Sequence, residues 1–187
     1  MESLSHHLLI AMPSLKDPFF QRSVTYLCKH DDEGAMGLVI NQPIELELDD
    51  LLRQMKIKEE DFVLPAGFCN RVMVGGPVLP DRGFVLHSPL HGMASSQVLT
   101  SDLMITTSKD ILSTLGSHAG PAQYMVALGY AGWDAGQLEQ ELAKNSWLTI
   151  PAELDLLFDV PVEERWSEAT RRLGIDIWQL SSEVGHA

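Results

Sequence analysis

Apolar positions recur along the chain with two different periods, and the change from one to the other separates its elements. His7 to Met12 is a short apolar run stopped by Pro13, which predicts a first strand. After the Asp17-Pro18 turn signal, Ser23 to His30 reads Ser-Val-Thr-Tyr-Leu-Cys-Lys-His, rich in β-branched and aromatic residues. A period of two places Val24, Tyr26, Cys28 and His30 on one face of that strand. The polar stretch His30 to Gly34 supplies turn chemistry, and Gly37 to Asn41 is apolar again, so the two runs predict an antiparallel hairpin. Val72 to Val74 and Gly83 to His87 read as short strands, separated by Gly75-Gly76-Pro77 and Pro80-Asp81-Arg82. A further strand falls within Gln97 to Thr106 and another at Tyr124 to Leu128.

Helical spacing appears at four places. Leu48, Leu51, Leu52 and Met55 fall on one face between Glu47 and Met55 while Asp49, Asp50, Arg53 and Gln54 point outward. Lys109 to Leu115 follows a possible Thr107 or Ser108 cap and precedes Gly116. The glycines at 129, 132 and 136 are expected to loosen the chain before a helix over Ala135 to Lys144, with Leu138 and Leu142 one turn apart. Pro161 to Leu173 has the strongest signal. Val162, Trp166, Ala169 and Leu173 share a face, Glu163 and Glu164 occupy the first turn, and Arg171 and Arg172 the last, an order that matches the helix dipole. Strands cluster early and helices late, with no internal repeat or linker. This predicts one α+β domain over residues 1–187 built with hairpins rather than a regularly alternating parallel sheet.

Composition narrows the functional classes. The 187 residues suit one domain at roughly 150 residues each, and 45% hydrophobic with 21% charged residues is an ordinary globular balance. With 26 acidic against 13 basic residues, the formal charge is −13, which opposes attraction to phosphate backbones and anionic lipid. The uncharged stretch Ile111 to Trp133 is broken by Gly116, Gly120, Pro121, Gly129 and Gly132, so no membrane span is expected. The N-terminus lacks a basic region before its apolar run, and Cys28 and Cys69 are too few and too far apart for a disulfide scaffold or a CxxC pair. These features predict a cytoplasmic protein with reduced thiols.

The chain carries no GxSxG elbow, HExxH, P-loop or dinucleotide fingerprint. Three candidate chemistries remain. Cys28 and His30, two apart on a strand, would make a redox-sensing thiol if the imidazole lay beside the sulfur; core packing is the competing explanation. Gly75-Gly76-Pro77 with Arg82 could hold an anion through converging amides and a guanidinium, joined by the strand ends at Met12, Pro13 and Asn41. The competing explanation is a tight connection in which the glycines serve backbone geometry. His87 and His91 flank Pro89, which breaks the helix their spacing would use, so they read as loop residues, as do His6 and His7; no metal or cofactor is expected. Trp133, Trp147, Trp166 and Trp178 read as core or core-edge residues, and no basic patch with interleaved aromatics is present.

Longer strings carry a resemblance. Leu9-Ile10-Ala11-Met12-Pro13, Asp17-Pro18-Phe19-Phe20, Arg22-Ser23-Val24 and Gly34-Ala35-Met36-Gly37-Leu38-Val39-Ile40-Asn41 resemble the opening of the bacterial AlgH/YqgE family. The likeness continues through Gly75-Gly76-Pro77-Val78, Asp81-Arg82-Gly83-Phe84, Tyr130-Ala131-Gly132-Trp133, Gly136-Gln137-Leu138-Glu139 and Gly185-His186-Ala187, covering essentially the whole chain. The resemblance implies a compact α+β domain with a mixed, mostly antiparallel, barrel-like sheet flanked by helices. It also implies a family whose namesake is associated with transcriptional control of alginate production and virulence, and for which no catalytic residue is established. The leading expectation is therefore a non-catalytic cytoplasmic regulatory or adaptor protein working through an unidentified protein partner, without direct nucleic-acid binding. An anion- or small-molecule-binding domain or cryptic enzyme, and a Cys28 thiol sensor, are the alternatives. The oligomeric state is left open.

Overall fold

The computed structural model describes residues 2–174. The expected Trp178 core residue and the Gly185-His186-Ala187 string lie outside them. Among the described residues nine strands form one sheet: β1 (His7–Ala11), β2 (Val24–Asp31), β3 (Gly34–Val39), β4 (Val72–Val74), β5 (Val78–His87), β6 (Ser96–Thr100), β7 (Leu103–Thr106), β8 (Tyr124–Asp134) and β9 (Trp147–Pro151). The order is β6-β7-β5-β8-β3-β2-β1-β9, every pair antiparallel except β4, which lies parallel to β8. The sheet curls into a half-barrel, so the mixed, mostly antiparallel α+β architecture is as expected. Helices α1 (Leu48–Gln54), α2 (Gln137–Ala143), α3 (Leu154–Phe158) and α4 (Arg165–Arg172) cover it. No helix among the described residues is long and apolar enough to cross a membrane.

Burial on both faces explains the apolar strands. Leu8 and Ile10 of β1 join the inner core with Tyr26, Met125, Leu156, Val162 and Trp166, while Leu9 and Ala11 face a second cluster with Leu27, Trp133 and Leu138. A third cluster packs α1 and the 3-10 helix Lys109–Thr114 against Val85, Tyr124 and Val126. Alternating residues thus fill opposite cores, as a half-barrel clad on both sides requires.

Of the sheet's irregularities, two turn side chains from one face to the other. Between Leu27 and Lys29 the pairing of β2 with β3 slips by one residue, leaving Cys28 extra. Within β8, Gly129 takes a left-handed φ of 74°, and the alternation flips across it: Met125 and Ala127 face the inner core, as does Tyr130, whereas Ala131 and Trp133 face outward. Of the glycines expected to loosen the chain, Gly129 and Gly132 instead lie inside the longest strand, while Gly136 precedes α2 with a left-handed φ of 78°. The segment expected as one strand within Gln97 to Thr106 is the β6–β7 hairpin, and β9 and α3 are additional elements. The helix expected over Pro161 to Leu173 divides into a 3-10 turn at Val162–Glu164 and α4.

Candidate functional site: a cleft beside a bulged strand

An open concavity grows out of the pairing of β5 with β8. Val78 pairs with Tyr130 and Gly83 with Leu128, so Leu79, Pro80, Asp81 and Arg82 stand opposite the single residue Gly129 and leave the sheet as an excursion. Leu79, its first residue, takes a φ of 46°, a conformation that costs a non-glycine residue about 1 kcal/mol, and is 51% exposed. A large apolar side chain held in water by a strained backbone is a feature that core packing does not explain.

Between this excursion and the β2–β3 hairpin lies a cleft of about 670 Å³. Its floor is aromatic: Phe84 and Tyr130 meet edge to face with ring centroids 5.8 Å apart, beside Met36. On one rim Lys29 pairs with Asp31 at 3.1 Å. On the other, the Arg82 guanidinium lies 5.7 Å over the Phe84 ring and makes no ion pair among the described residues. Hydrogen bonds from the Glu33 backbone and from Lys29 hold the exposed Asp31 carboxyl below its ordinary range. None of the lining residues is a serine, threonine, cysteine or histidine. The cleft therefore offers rings, apolar surface and fixed charges, which suit recognition.

The expected anion site does not assemble. Asn41 lies beyond the C-terminal end of β3, where its side chain accepts from the Val24 N–H and donates to the Arg22 carbonyl, each at 2.8 Å. Met12 and Pro13 leave the end of β1 on the same side, with the Met12 N–H bonded to the Ser146 carbonyl at 3.0 Å. Arg82 instead shares the cleft with Gly34 to Met36, at the opposite end of β3. Gly75 and Gly76 are buried between strands. The Gly75 N–H bonds to Leu128 and its carbonyl accepts from Val39, so here the edge of β8 passes from β4 to β3. A Cβ on Gly76 would lie 1.9 Å from the Tyr130 carbonyl carbon. The glycines thus allow a close backbone approach.

Cys28 and His30 are likewise separated. The bulge at Cys28 breaks the period of two, so Cys28 faces the inner core while His30 faces the opposite side. Cys28 is 9% exposed, and burial pushes its thiol up to about 12. His30, 4% exposed, accepts from the Leu4 N–H at Nδ1 (2.9 Å) and donates from Nε2 to Glu139 on α2 (2.5 Å), pinning the N-terminal segment to the sheet. His87 and His91 also part company: His87 is fully buried and His91 exposed. Three carboxylates, Glu47, Asp49 and Asp50, lie close together, but Asp49 accepts from the Leu64 N–H and Arg53 pairs with Asp50.

Sequence reasoning singled out Arg82 and missed Lys29, Leu79, Phe84 and Tyr130. For Phe84 and Tyr130 the signal was present in the strings quoted above, since Gly34 to Met36, Val78, Arg82, Phe84, Tyr130, Gly132 and Trp133 all border the cleft; Lys29 and Leu79 stand outside those strings. Only the strand order shows that they meet.

Comparisons with known proteins agree with this architecture. The model of the DUF179 family, described as AlgH-like, matches residues 8–178. A UPF0301 protein of Shewanella loihica is 57% identical over 187 residues, covering all of both chains, and one of Pseudoalteromonas translucida is 56% identical over the same length and coverage. The solution structure of the AlgH protein from Pseudomonas aeruginosa matches with a TM-score of 0.76 and 47% identity, covering 99% of this chain and 96% of that one. A crystal structure of a Corynebacterium diphtheriae protein shares the fold at a TM-score of 0.71 with 17% identity, covering 97% and 92%.

Proposed function

The chain belongs to the AlgH-like family, and from that premise we propose that it is a non-catalytic cytoplasmic regulatory or adaptor protein whose cleft receives an extended segment of a partner protein. The observation that carries this reading is the Leu79 excursion beside the Phe84–Tyr130 floor: an exposed apolar anchor, two rings and a guanidinium with no ion pair among the described residues, along one open groove. Such a groove suits a segment with an apolar side chain for the floor and a carboxylate for Arg82. Any influence on transcription would then run through the partner, since a charge of −13 opposes direct contact with DNA. Quantitative affinity purification of the full chain from its native cell tests this, comparing wild type with Leu79→Asp and Arg82→Glu. A protein recovered reproducibly with wild type and lost from both variants supports the reading. The absence of a reproducible partner, or full retention by both variants, contradicts it.

A second reading, an anionic small molecule in the same cleft, is favoured by Arg82 having no acidic partner among the described residues. It predicts a ligand that raises the melting temperature of wild type and has no effect on Arg82→Ala.

A further inference from the structure

Strand polarity leaves one backbone unit open inside the cleft. In β3 the Val39 N–H bonds to the Gly75 carbonyl, and just beyond it the Ile40 N–H bonds to Val24 of β2. Odd-numbered residues of β3 therefore aim their backbone groups at β8, and even-numbered ones at β2. Of the β3–β8 pairs, Ala35–Trp133 and Gly37–Ala131 are the hydrogen-bonded ones, whereas Met36–Gly132 and Gly34–Asp134 are not. The N–H and C=O of Gly132 and Asp134 consequently point to the other edge of β8, which β5 follows only as far as Val78, opposite Tyr130. The Asp134 N–H is taken by the Gln137 side chain at 3.0 Å. Gly132 has no such cap. Its N–H and C=O meet no protein partner among the described residues, and it is exposed in the cleft lining.

A free donor and acceptor on one strand residue match another extended backbone. The side-chain setting agrees. Tyr130 faces inward and Ala131 and Trp133 outward, so Gly132 turns its missing side chain to the cleft, where a Cβ would lie 3.5 Å from Tyr130 Cε2. Directly opposite residues of paired strands project to the same face, so a residue paired with Gly132 would put its side chain in the space the glycine leaves, over the Tyr130 ring. Arg82 lines the same cleft and makes no ion pair among the described residues.

We infer that the partner segment enters the cleft as an added antiparallel strand, exchanging both backbone hydrogen bonds with Gly132. It presents an apolar side chain at the paired position and a carboxylate to Arg82. This inference rests on the reading of the cleft as a partner site and specifies how the partner is held. An inorganic anion would answer Arg82 but offer no donor to the Gly132 carbonyl, and a second copy of a chain carrying −13 would be repelled.

Two measurements test it. In the full chain alone, amide hydrogen exchange read by NMR and corrected for intrinsic rates is expected to be at least about tenfold faster at Gly132 than at Ala131 and Trp133. Equal protection of the three overturns the added strand and leaves the partner reading standing. The second measurement takes the segment that a benzophenone amino acid at position 79 crosslinks in the native cell and makes it as a synthetic peptide. Gly132→Pro removes an N–H that the sheet does not use, while Gly132→Ala keeps it and adds the same Cβ. The peptide is expected to bind Gly132→Pro at least about tenfold more weakly than Gly132→Ala, the worth of one or two backbone hydrogen bonds. On wild type, which needs no variant to fold, N-methylation of the one peptide residue facing Gly132 is expected to weaken binding as much, and N-methylation of its two neighbours by less than about threefold. Equal affinity of the two variants, or equal effects of methylation at all three residues, overturns strand addition alone. No crosslinked segment, or one from this chain itself, overturns both readings.

Discussion

Gly76 shows how one residue can carry a junction between strands. The edge of β8 is shared by β4 and β3, and the chain crosses between them so close to Tyr130 and Ala131 that no side chain fits. Gly76→Ala is therefore expected to lower the unfolding free energy by about 3 kcal/mol or more, because the added carbon meets backbone rather than a movable side chain. Gly83→Ala is the control: an added methyl there meets nothing within 4 Å, and a change of about 0.5 kcal/mol or less is expected. Urea denaturation of both variants checks the contrast, and equal effects would contradict it. At this scale the sequence was legible only as a choice. Gly75-Gly76-Pro77 is compatible with an anion loop or with close backbone approach, and only the neighbour opposite decides.

Among the elements, most strands were legible as short apolar runs bounded by turn residues and the hairpin from its turn chemistry, because burial enforces those patterns. The bulges were not. A single extra residue at Cys28 leaves no mark in composition, yet it sends His30 to the opposite face and dissolves the expected thiol–imidazole pair. The consequence is that iodoacetamide should modify the half-buried Cys69 in the native protein and reach Cys28 only as the fold opens. Equal native rates for the two thiols would contradict this. The α3–α4 contact gives an element-scale prediction in pH. Arg172 of α4 binds Asp155 of α3 at 2.5 Å and Glu168 at 3.0 Å. Hydrogen bonds from Arg171 and Arg172 hold the Glu168 carboxyl down at about 2, and Arg172 lowers that of Asp155. Carboxyls depressed on folding add stability that is complete above their unfolded values near 4 and is lost as pH falls through their folded values. The melting temperature should thus fall between about pH 4.5 and 2, and Arg172→Ala should make that fall shallower. A variant with an unchanged acid slope would contradict the assignment.

At the scale of the whole molecule, the curled sheet creates the cleft by bringing together segments far apart in the chain: Lys29 to Met36, Val78 to Phe84 and Tyr130 to Asp134. Each was readable as a strand or turn, but their meeting depends on β8 lying between β5 and β3, a non-local order that local periodicity does not encode. The central claim, that this groove seats a partner protein through the Leu79 excursion, is tested most directly by photo-crosslinking in the native cell. A benzophenone amino acid is placed at position 79 or at the exposed Val63, outside the cleft lining. The account predicts a discrete crosslinked protein from position 79 that is absent from position 63 and disappears when Arg82→Glu is added. No discrete product at position 79, or the same product from both positions, would contradict it.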